Sequence, residues 1–384
     1  MTRKKVLITI DWFLPGTKSG GPVRSYANMI AYFKNEFDFY IITRDTDYCE
    51  TIPYQQIQQN TWNVYNDNTH IFYVSKENLN LKNIREVYFS KTFDVVLING
   101  VYSWYFSILP LFLFKNRPTK TIVSSRGMLN SQAFSVKLKK KKIFLFLAKS
   151  LGLYNGVIFH ATNEIESKCI KNELGNKLNV IVAQNLPRLT ISRKRKDANK
   201  KEGILNLVSI ARISKEKGTK EALKGILEYS SRNQSKIKFD LFGTLYDKEY
   251  WQQCEEIIKK FPDHVEISYK GSIESNKVPS LLQNYDFLLM PSEGENFGHS
   301  ILEALTVGLP VIISDNTPWK NLEEKKIGWD ISLNDTQNLQ NVLEVAINMD
   351  QVSYNKWSLN AFNFATAYYN NEDVIKANRV LFES

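Results

Sequence analysis

Short, almost uninterrupted apolar runs recur along this chain of 384 residues, and a longer amphipathic stretch follows each of them. Strands that are buried on both faces have this composition, and they occur in parallel sheets with helices on both sides. The first half carries such runs at residues 6–10, 37–43, 70–74, 94–100, 120–125 and 156–162. The second half carries them at residues 204–211, 237–243, 265–271, 286–292 and 309–315. The pattern predicts an α/β protein with two doubly wound sheets.

A highly charged stretch that ends in glycine, RKRKDANKKEG, separates the two series of runs. Such a composition is typical of a linker between domains. We therefore predict an N-terminal domain over residues 1–190, a basic linker over 191–203 and a C-terminal domain over 204–355. Residues 356–384 are predicted to form C-terminal helices that pack back on the N-terminal domain.

The net charge of +10 favours an anionic ligand or surface, which could be a nucleotide, a nucleic acid or an acidic lipid. The three cysteines, Cys49, Cys169 and Cys254, are widely spaced and form no metal-ligand pattern, so we expect a reducing compartment. The longest apolar runs, 107–114 and 143–154, are too short or too interrupted to span a bilayer. These features predict a soluble or peripheral protein.

The stretch EGENFGHSILEALTVGLPV, residues 293–311, predicts a loop after the strand at 286–292 and then a helix that begins near Gly298. The free amides at the start of a helix form an anion site suited to phosphate. Glu295 in the loop and Glu303 in the helix would repel an anion unless they bind hydroxyl groups, which sugars supply. The alternative is a glutamate that favours the helix dipole beside a solvated loop glutamate.

The same stretch resembles the signature of retaining glycosyltransferase family 4, also called glycosyl transferases group 1, in which seven residues separate two glutamates. The resemblance implies the GT-B fold, two Rossmann-like domains that face each other across a cleft. It also implies that Glu295 contacts donor-sugar hydroxyls and that Glu303 binds the ribose. The backbone amides of Asn296, Phe297 and Gly298 would then hold the sugar and its phosphates.

A second basic stretch, SIARISKEKGTKEAL, follows the first strand of the C-terminal domain and places Arg212 and Lys217 around a short turn. Fixed cations in such a turn can clamp a diphosphate and stabilise its charge as it leaves. In the alternative interpretation the turn is a solvated basic loop in which Lys215 and Lys220 are equivalent. The family resemblance singles out Arg212 and Lys217, which we predict to be catalytic together with the loop glutamate of the signature.

Two glycines, Gly20 and Gly21, lie between the first strand and the first helix and allow the backbone to approach a phosphate closely. They resemble the glycine loop of the family, beside the donor phosphate and the acceptor, although a Gly-Gly pair can also be a simple turn. Arg24 is predicted on the same side.

Arg126, in SSRGML, resembles the arginine of an SPRGML segment in bacterial members, and we predict it on the acceptor or phosphate side; the alternative is a surface arginine.

Many family members carry a histidine near the reacting carbon, but the corresponding loop here, residues 98–106, has none, and either Tyr102 or Ser103 is expected there instead. His160 and His299 are interpreted as structural or binding residues, His299 on the donor side. Gly243 and Gly271 end strands and are predicted to leave room for the nucleotide base, with ordinary turns as the alternative.

No Asp-x-Asp triplet stands at a strand end, since the only one, at 45–47, lies in a loop, and so we predict no metal. No cofactor is predicted either, because the nucleotide sugar is the donor substrate. The basic segment 137–149 fits an anionic membrane surface, or else a helix with a buried face and a solvated lysine face. Nucleic acid is not expected as a partner, because the basic residues do not follow a groove with aromatic residues.

These features together predict a retaining glycosyltransferase that moves a hexose or N-acetylhexosamine from a UDP- or GDP-sugar to a glycan. The resemblance implies a polyprenyl-linked acceptor in O-antigen, capsule or exopolysaccharide synthesis, at the inner face of the cytoplasmic membrane. A nucleotide-sugar epimerase or hydrolase of the same fold is the alternative. It would need acid–base groups against the sugar, and the shortage of well-placed histidines argues against it.

Overall fold

The computed structural model separates the chain into two compact units, each of which is an α/β structure with its own cores. The first unit comprises Met1–Leu189 and Glu372–Ser384, and the second comprises Thr190–Asn371. The structure describes residues 2–130, 138–189, 199–245 and 247–383, without the side chains of Leu138, Lys139 and Thr336.

The strands and helices alternate along most of the chain. The strands are β1 (Lys4–Thr9), β2 (Phe37–Arg44), β3 (Trp62–Asn66), β4 (Thr69–Val74), β5 (Val95–Asn99), β6 (Lys120–Ser124), β7 (Ile158–Ala161), β8 (Asn179–Val182), β9 (Ile204–Ile210), β10 (Lys236–Phe242), β11 (Val265–Gly271), β12 (Phe287–Met290), β13 (Val311–Ser314) and β14 (Gly328–Ile331). The helices are α1 (Gly21–Phe33), α2 (Leu81–Tyr88), α3 (Leu109–Phe114), α4 (Leu138–Ser150), α5 (Glu164–Leu174), α6 (Thr219–Ser230), α7 (Lys248–Ile258), α8 (Val278–Leu282), α9 (His299–Thr306), α10 (Thr336–Ile347), α11 (Gln351–Tyr369) and α12 (Glu372–Glu383). Among the helices described, none is long and apolar enough to cross a membrane.

The first unit is built on an eight-stranded sheet with the order β3-β4-β2-β1-β5-β6-β7-β8. Strand β3 runs antiparallel to β4, and the other neighbours are parallel. Strand β1 lies at the centre because Val6, Leu7 and Ile8 are fully buried, with helices covering both faces of the sheet. The strand order reverses between β1 and β5, so the loops that follow these two strands flank the switch point, where ligands bind in doubly wound sheets.

The second unit is built on a six-stranded, all-parallel sheet with the order β11-β10-β9-β12-β13-β14. Its switch point lies between β9 and β12, which pair through Leu207 with Phe287 and Val208 with Leu288. The carboxyl ends of these parallel strands lie at one edge of the sheet. The loops after β9 and β12, which carry the predicted diphosphate clamp and the two-glutamate signature, therefore come together there.

Every apolar run that the sequence analysis assigned to a strand is a strand in the structure, so the predicted α/β class with two doubly wound sheets is confirmed. The sequence analysis missed β3, β8 and β14. Each of the three lies at an edge of its sheet.

The C-terminal helices divide between the two units, whereas residues 356–384 were predicted to pack together on the N-terminal domain. Helix α11 belongs to the second unit because Ala361 and Ala365 are fully buried in one of its cores. It also passes so close to Gly308 that a Cβ there would lie 2.9 Å from the backbone oxygen of Ser358. Helix α12 alone joins the first unit, with Phe382 fully buried in its core. Residues 190–198, which include most of the predicted linker, lie outside the described residues.

Candidate active site

A sharp turn after β9 brings the predicted clamp against the end of β12. Residues Lys215–Lys217 form a single 3-10 turn, and Gly218 follows it with a left-handed φ of 69° before α6 begins. A Cβ on Gly218 would lie 1.9 Å from the backbone oxygen of Pro291, so only glycine allows this approach. The amide of Glu293 also donates a hydrogen bond to the backbone oxygen of Glu216, at 3.0 Å.

The approach places the Lys217 side chain against Glu295, with Nζ 2.6 Å from Oε1. The two side chains are 17% and 12% exposed, so the pair is largely shielded from water and from salt. The hydroxyl of Ser292 donates to the same Oε1 at 3.2 Å and fixes the carboxylate. Two side chains predicted to be catalytic, 78 positions apart in the sequence, therefore meet at the carboxyl edge of the second sheet.

Arg212, the other predicted cation of the clamp, lies at the start of the same turn. Its Nη2 is 3.5 Å from Oε1 of Glu216, so its charge interacts with a carboxylate of the turn itself. Arg212 and Lys217 thus bring two cations to one turn, each beside its own carboxylate. This arrangement differs from a pair of cations that stand free to bind an anion.

Helix α9 begins directly after the loop that carries Glu295. Gly298 precedes the helix with φ 78° and ψ 69°, and its backbone oxygen accepts from the amide of Ile301 at 3.0 Å. The loop is fixed to its neighbour, because the amide of Glu295 donates to the backbone oxygen of Asn316 after β13, at 3.2 Å. Asn296 is half-buried in this loop, and Glu303 is a half-buried residue on the second turn of α9.

A cluster of aromatic side chains in the core of the second unit packs against the same loop. The ring of Phe297 is buried and packs on Trp319 and Tyr368, with centroids 5.5 and 5.9 Å away. The indole Nε1 of Trp319 donates a hydrogen bond to the backbone oxygen of Phe297. His299 packs edge-on against the Phe297 ring at 4.8 Å. The side chain of Phe297 therefore supports the loop from the core, and its backbone amide is what this residue can offer to a ligand.

The two predicted base-side glycines have different surroundings. Gly243 has φ 155°, and a Cβ on it would lie 1.7 Å from the backbone oxygen of Ala211, so glycine is required where β9 and β10 end. Its amide donates to the backbone oxygen of Gly271 at 2.9 Å. Gly271 has φ 75°, but a Cβ there would face open space. That these glycines leave room for a base remains a prediction.

In the first unit, the predicted glycine loop connects β1 to α1. Gly20 has φ 86° with open space where a Cβ would be, and Gly21 is the exposed first residue of the helix. Arg24 lies half-buried in the first turn of α1. Both glycines thus lie at the start of α1, and a positive φ rather than crowding accounts for the glycine at position 20.

Arg126 adopts a left-handed backbone conformation, with φ 51°, in the loop after β6. Such a conformation is uncommon for a residue other than glycine and points to a function or a tightly held loop. Its Nη1 donates to Oδ1 of Asn185 at 2.7 Å, and its guanidinium lies 4.4 Å from the ring centroid of Tyr26. Its buried Nε and Nη2 have no hydrogen-bond acceptor among the residues described, so two donors remain for an anion.

A buried carboxylate holds the Arg126 loop in place. Glu166 is fully buried and accepts hydrogen bonds from the hydroxyl of Ser125 and the amide of Gly127, at 2.7 and 2.6 Å. It also accepts two hydrogen bonds from Thr162. Burial alone would raise the pKa of Glu166, but these hydrogen bonds outweigh it and lower the pKa.

His160 is buried beside this loop as a neutral ring. Its Nε2–H donates to the backbone oxygen of Ala183 at 2.8 Å, so Nδ1 is the nitrogen that accepts from the hydroxyl of Ser124. Burial, and next the positive charge of Arg126, lower the pKa of His160 to about 4. His160 is therefore a structural residue of the first unit.

Tyr102 lies in the loop after β5, and Asp11, which the sequence analysis did not predict, lies in the loop after β1. The Tyr102 ring packs against Phe144 of α4 at 5.7 Å, and burial raises the pKa of its hydroxyl to about 12. Asp11 accepts a hydrogen bond from the hydroxyl of Ser103 at 2.8 Å and pairs with Arg44 at 3.4 Å. Burial raises the pKa of Asp11 despite these contacts. The signal in the sequence was an aspartate placed directly after a buried apolar strand at the switch point.

Within the described part of the chain, no cluster of three or more His, Cys, Asp or Glu side chains could hold a metal ion.

Structure comparison places the chain in the GT-B class. Sucrose-phosphate synthase from Thermosynechococcus elongatus superposes with a TM-score of 0.73 at 14% identity, covering 99% of this chain and 98% of that one. HepE from Anabaena, solved in complex with UDP-glucose, gives 0.71 at 14% identity and 98% coverage of both chains. WaaG, described as a glycosyltransferase involved in lipopolysaccharide biosynthesis, gives 0.67 at 13% identity, covering 99% of this chain and 100% of that one. At these identities the likeness shows the GT-B fold.

The sequence of the second unit matches a known family model. Residues 190–364 match the model of the family described as glycosyl transferases group 1. An uncharacterized 41.2 kDa protein in the cps region of Klebsiella pneumoniae is 24% identical over 231 residues. That match covers 58% of this chain and 60% of the Klebsiella protein, so it spans less than two thirds of that relative.

Proposed function

We propose that this protein is a retaining glycosyltransferase that transfers a hexose or N-acetylhexosamine from a UDP- or GDP-sugar to a glycan. The observation that carries the proposal is the shielded contact between Lys217 and Glu295 just before α9, at the carboxyl edge of the second sheet. A cation, a carboxylate and a helix N-terminus together suit a ligand that has both phosphate and sugar hydroxyl groups. The group 1 family match of the second unit and the UDP-glucose complex of HepE support the same donor class.

We propose a role in donor binding for each of these residues. An ammonium group has three donors, so Lys217 can bind a phosphate oxygen while it keeps contact with Glu295. A diphosphate would bind between Lys217 and Arg212, and the second carboxylate oxygen of Glu295 would accept from a sugar hydroxyl. The amides that begin α9 would hold the distal phosphate, and Glu303 would bind the ribose.

Retention requires that the new bond form on the face from which the diphosphate leaves. In a front-face displacement the bond between the anomeric carbon and the phosphate oxygen breaks while the acceptor oxygen bonds to the same carbon. The departing phosphate oxygen takes the proton of the acceptor hydroxyl. Lys217 and Arg212 lower the barrier because they stabilise the negative charge on the phosphate as it leaves.

The residues of the first unit are proposed to serve the acceptor or phosphate side: Gly20, Gly21, Arg24, Tyr102 and Arg126. The printed descriptions of two similar proteins, WaaG in lipopolysaccharide biosynthesis and the Klebsiella protein of a cps region, favour a surface-polysaccharide acceptor, and we propose that it is lipid-linked. The enzyme would then act in the cytoplasm, at the inner face of the cytoplasmic membrane.

The proposal is tested first by thermal unfolding with UDP, GDP and their common sugar conjugates. A ligand present at about one hundred times its dissociation constant stabilises the folded chain by ~2.7 kcal/mol. We expect one nucleotide series to stabilise the wild type and Lys215→Ala but not Lys217→Ala. Lys215 is the matched control because it lies in the same turn, is exposed and carries the same charge.

Absence of stabilisation by every nucleotide, or equal loss in both variants, would contradict the proposed donor site. Once the donor is known, NMR of the transferred sugar reports its anomeric configuration. An inverted product would contradict retention alone. Conversion of the donor without transfer would instead support the epimerase or hydrolase alternative.

A further inference from the structure

Helix α4 is apolar on two opposite sides. One side packs on the first unit, where Leu145 and Ala148 are buried in a core and Phe144 contacts Tyr102. A helix at a protein surface usually has a polar side opposite its buried side. In α4 the side opposite Leu145 is apolar as well.

The exposed apolar side chains lie on one side of the helix. Ile143 is 60% exposed, Phe146 70% and Leu147 51%, and Leu151, immediately after the helix, is 64% exposed. Their spacing of three, four and eight residues places them next to one another. We call these four residues the outer face of α4. A contiguous exposed apolar face of this kind is typical of a surface that binds a protein partner or a membrane.

Lysines surround the outer face. Lys140, Lys142 and Lys149 are exposed, and Lys115 at the end of α3 donates to the backbone oxygen of Leu151 at 3.1 Å. No Asp or Glu occurs in the sequence of residues 138–151. Apolar side chains bordered by lysines are complementary to a surface that is apolar inside and negatively charged outside.

We propose that the outer face of α4 inserts into the surface of an anionic lipid bilayer, with the surrounding lysines against the lipid phosphates. A protein partner could also cover an apolar face, but a row of exposed lysines on a helix with no Asp or Glu of its own favours a surface of uniform negative charge. Of the basic segment predicted at 137–149, Lys137 and the side chains of Leu138 and Lys139 lie outside the described residues. The inference stands on α4 and not on the proposed transfer reaction.

Sedimentation with lipid vesicles tests the inference. Vesicles of phosphatidylcholine alone are compared with vesicles that also contain phosphatidylglycerol, using the wild type and the double variant Phe146→Ser/Leu147→Ser. Because both side chains are exposed, the variant should fold normally, which circular dichroism verifies. The matched control is Val352→Ser/Leu359→Ser, which removes two exposed apolar side chains from α11 in the second unit.

We expect the wild type and the control to bind the anionic vesicles. The Phe146→Ser/Leu147→Ser variant should bind them at least about tenfold more weakly, because burial of apolar area provides most of the affinity. The variant Lys140→Gln/Lys142→Gln should lose the preference for anionic vesicles. The inference is wrong if the wild type does not bind, or if the α4 and α11 variants bind equally. It is also wrong if the outer face only mediates self-association, seen as a concentration-dependent dimer that Phe146→Ser/Leu147→Ser abolishes. Because vesicle binding needs no nucleotide, failure of the vesicle test leaves the proposed donor site untouched, and failure of nucleotide binding leaves the membrane inference untouched.

Discussion

Gly218 should be far more sensitive to substitution than another glycine with a positive φ in the second unit. Gly218 and Gly271 have φ of 69° and 75°, so alanine at either position costs about 1 kcal/mol for the positive φ. A Cβ at Gly271 meets nothing within 4 Å, whereas at Gly218 it would lie 1.9 Å from the backbone oxygen of Pro291. Relieving that overlap requires a backbone shift, which we set at a further ~1–3 kcal/mol by analogy with overpacking.

We therefore expect Gly271→Ala to lower the free energy of unfolding by about 1 kcal/mol and Gly218→Ala by about 2–4 kcal/mol. The assay is urea unfolding followed by hydrogen–deuterium exchange of peptides from the second unit, which reports its stability separately. Gly218→Ala should also weaken stabilisation by the nucleotide, because the turn that holds Lys217 against Glu295 must move. Equal destabilisation by the two variants would refute the reasoning, since the difference isolates the contact with Pro291.

Two further predictions concern the supports of the predicted sites. His160 has a pKa of about 4 in the folded chain and 6.5 when unfolded, so between these values the unfolded chain binds more protons and stability falls as the pH drops. The loss should reach ~3 kcal/mol near pH 4, measured by urea unfolding across this range. His160→Gln should flatten the pH dependence between 6.5 and 4, and an unchanged slope would show that another group is responsible. In the second unit, Trp319→Phe keeps an aromatic ring but removes the hydrogen bond to Phe297 and part of the buried indole, and should cost at least about 1 kcal/mol together with weaker nucleotide stabilisation. Titration calorimetry with the nucleotide measures the affinity of the variant. An unchanged affinity would show that the aromatic cluster does not contribute to donor binding.

Central strands were predictable from the sequence because burial on both faces leaves a nearly continuous apolar run, as in β1 and β12. The missed strands β3, β8 and β14 are edge strands, with one neighbour each. Strand β3 is half-buried at best, and its side chains include the exposed Val64 and Tyr65. Local composition therefore carries little information about it, and its pairing with β4 depends on the rest of the sheet.

The candidate site shows a similar limit. Lys217 and Glu295 could be singled out because each belongs to a recognisable local stretch. Gly218 and Ser292 could not, since their importance depends on a contact between distant parts of the chain. The position of Asp11 directly after a buried strand was a signal in the sequence, but its interaction with Ser103 and Arg44 exists only where three strands end together.

The return of α12 to the first unit has a consequence for synthesis on the ribosome. Phe382 packs against Phe37 and Phe39 with centroids 5.2 and 6.0 Å away, and Arg379 pairs with Glu36 after α1. The core of the first unit therefore lacks these partners until residue 382 has been translated, whereas the second unit is one continuous segment. Domains that emerge first usually fold first. Here the second unit can complete its fold while the first unit still exposes the rings of Phe37 and Phe39, which Phe382 covers in the complete chain. We therefore expect a nascent chain that is stalled before α12 to be the form most prone to aggregation.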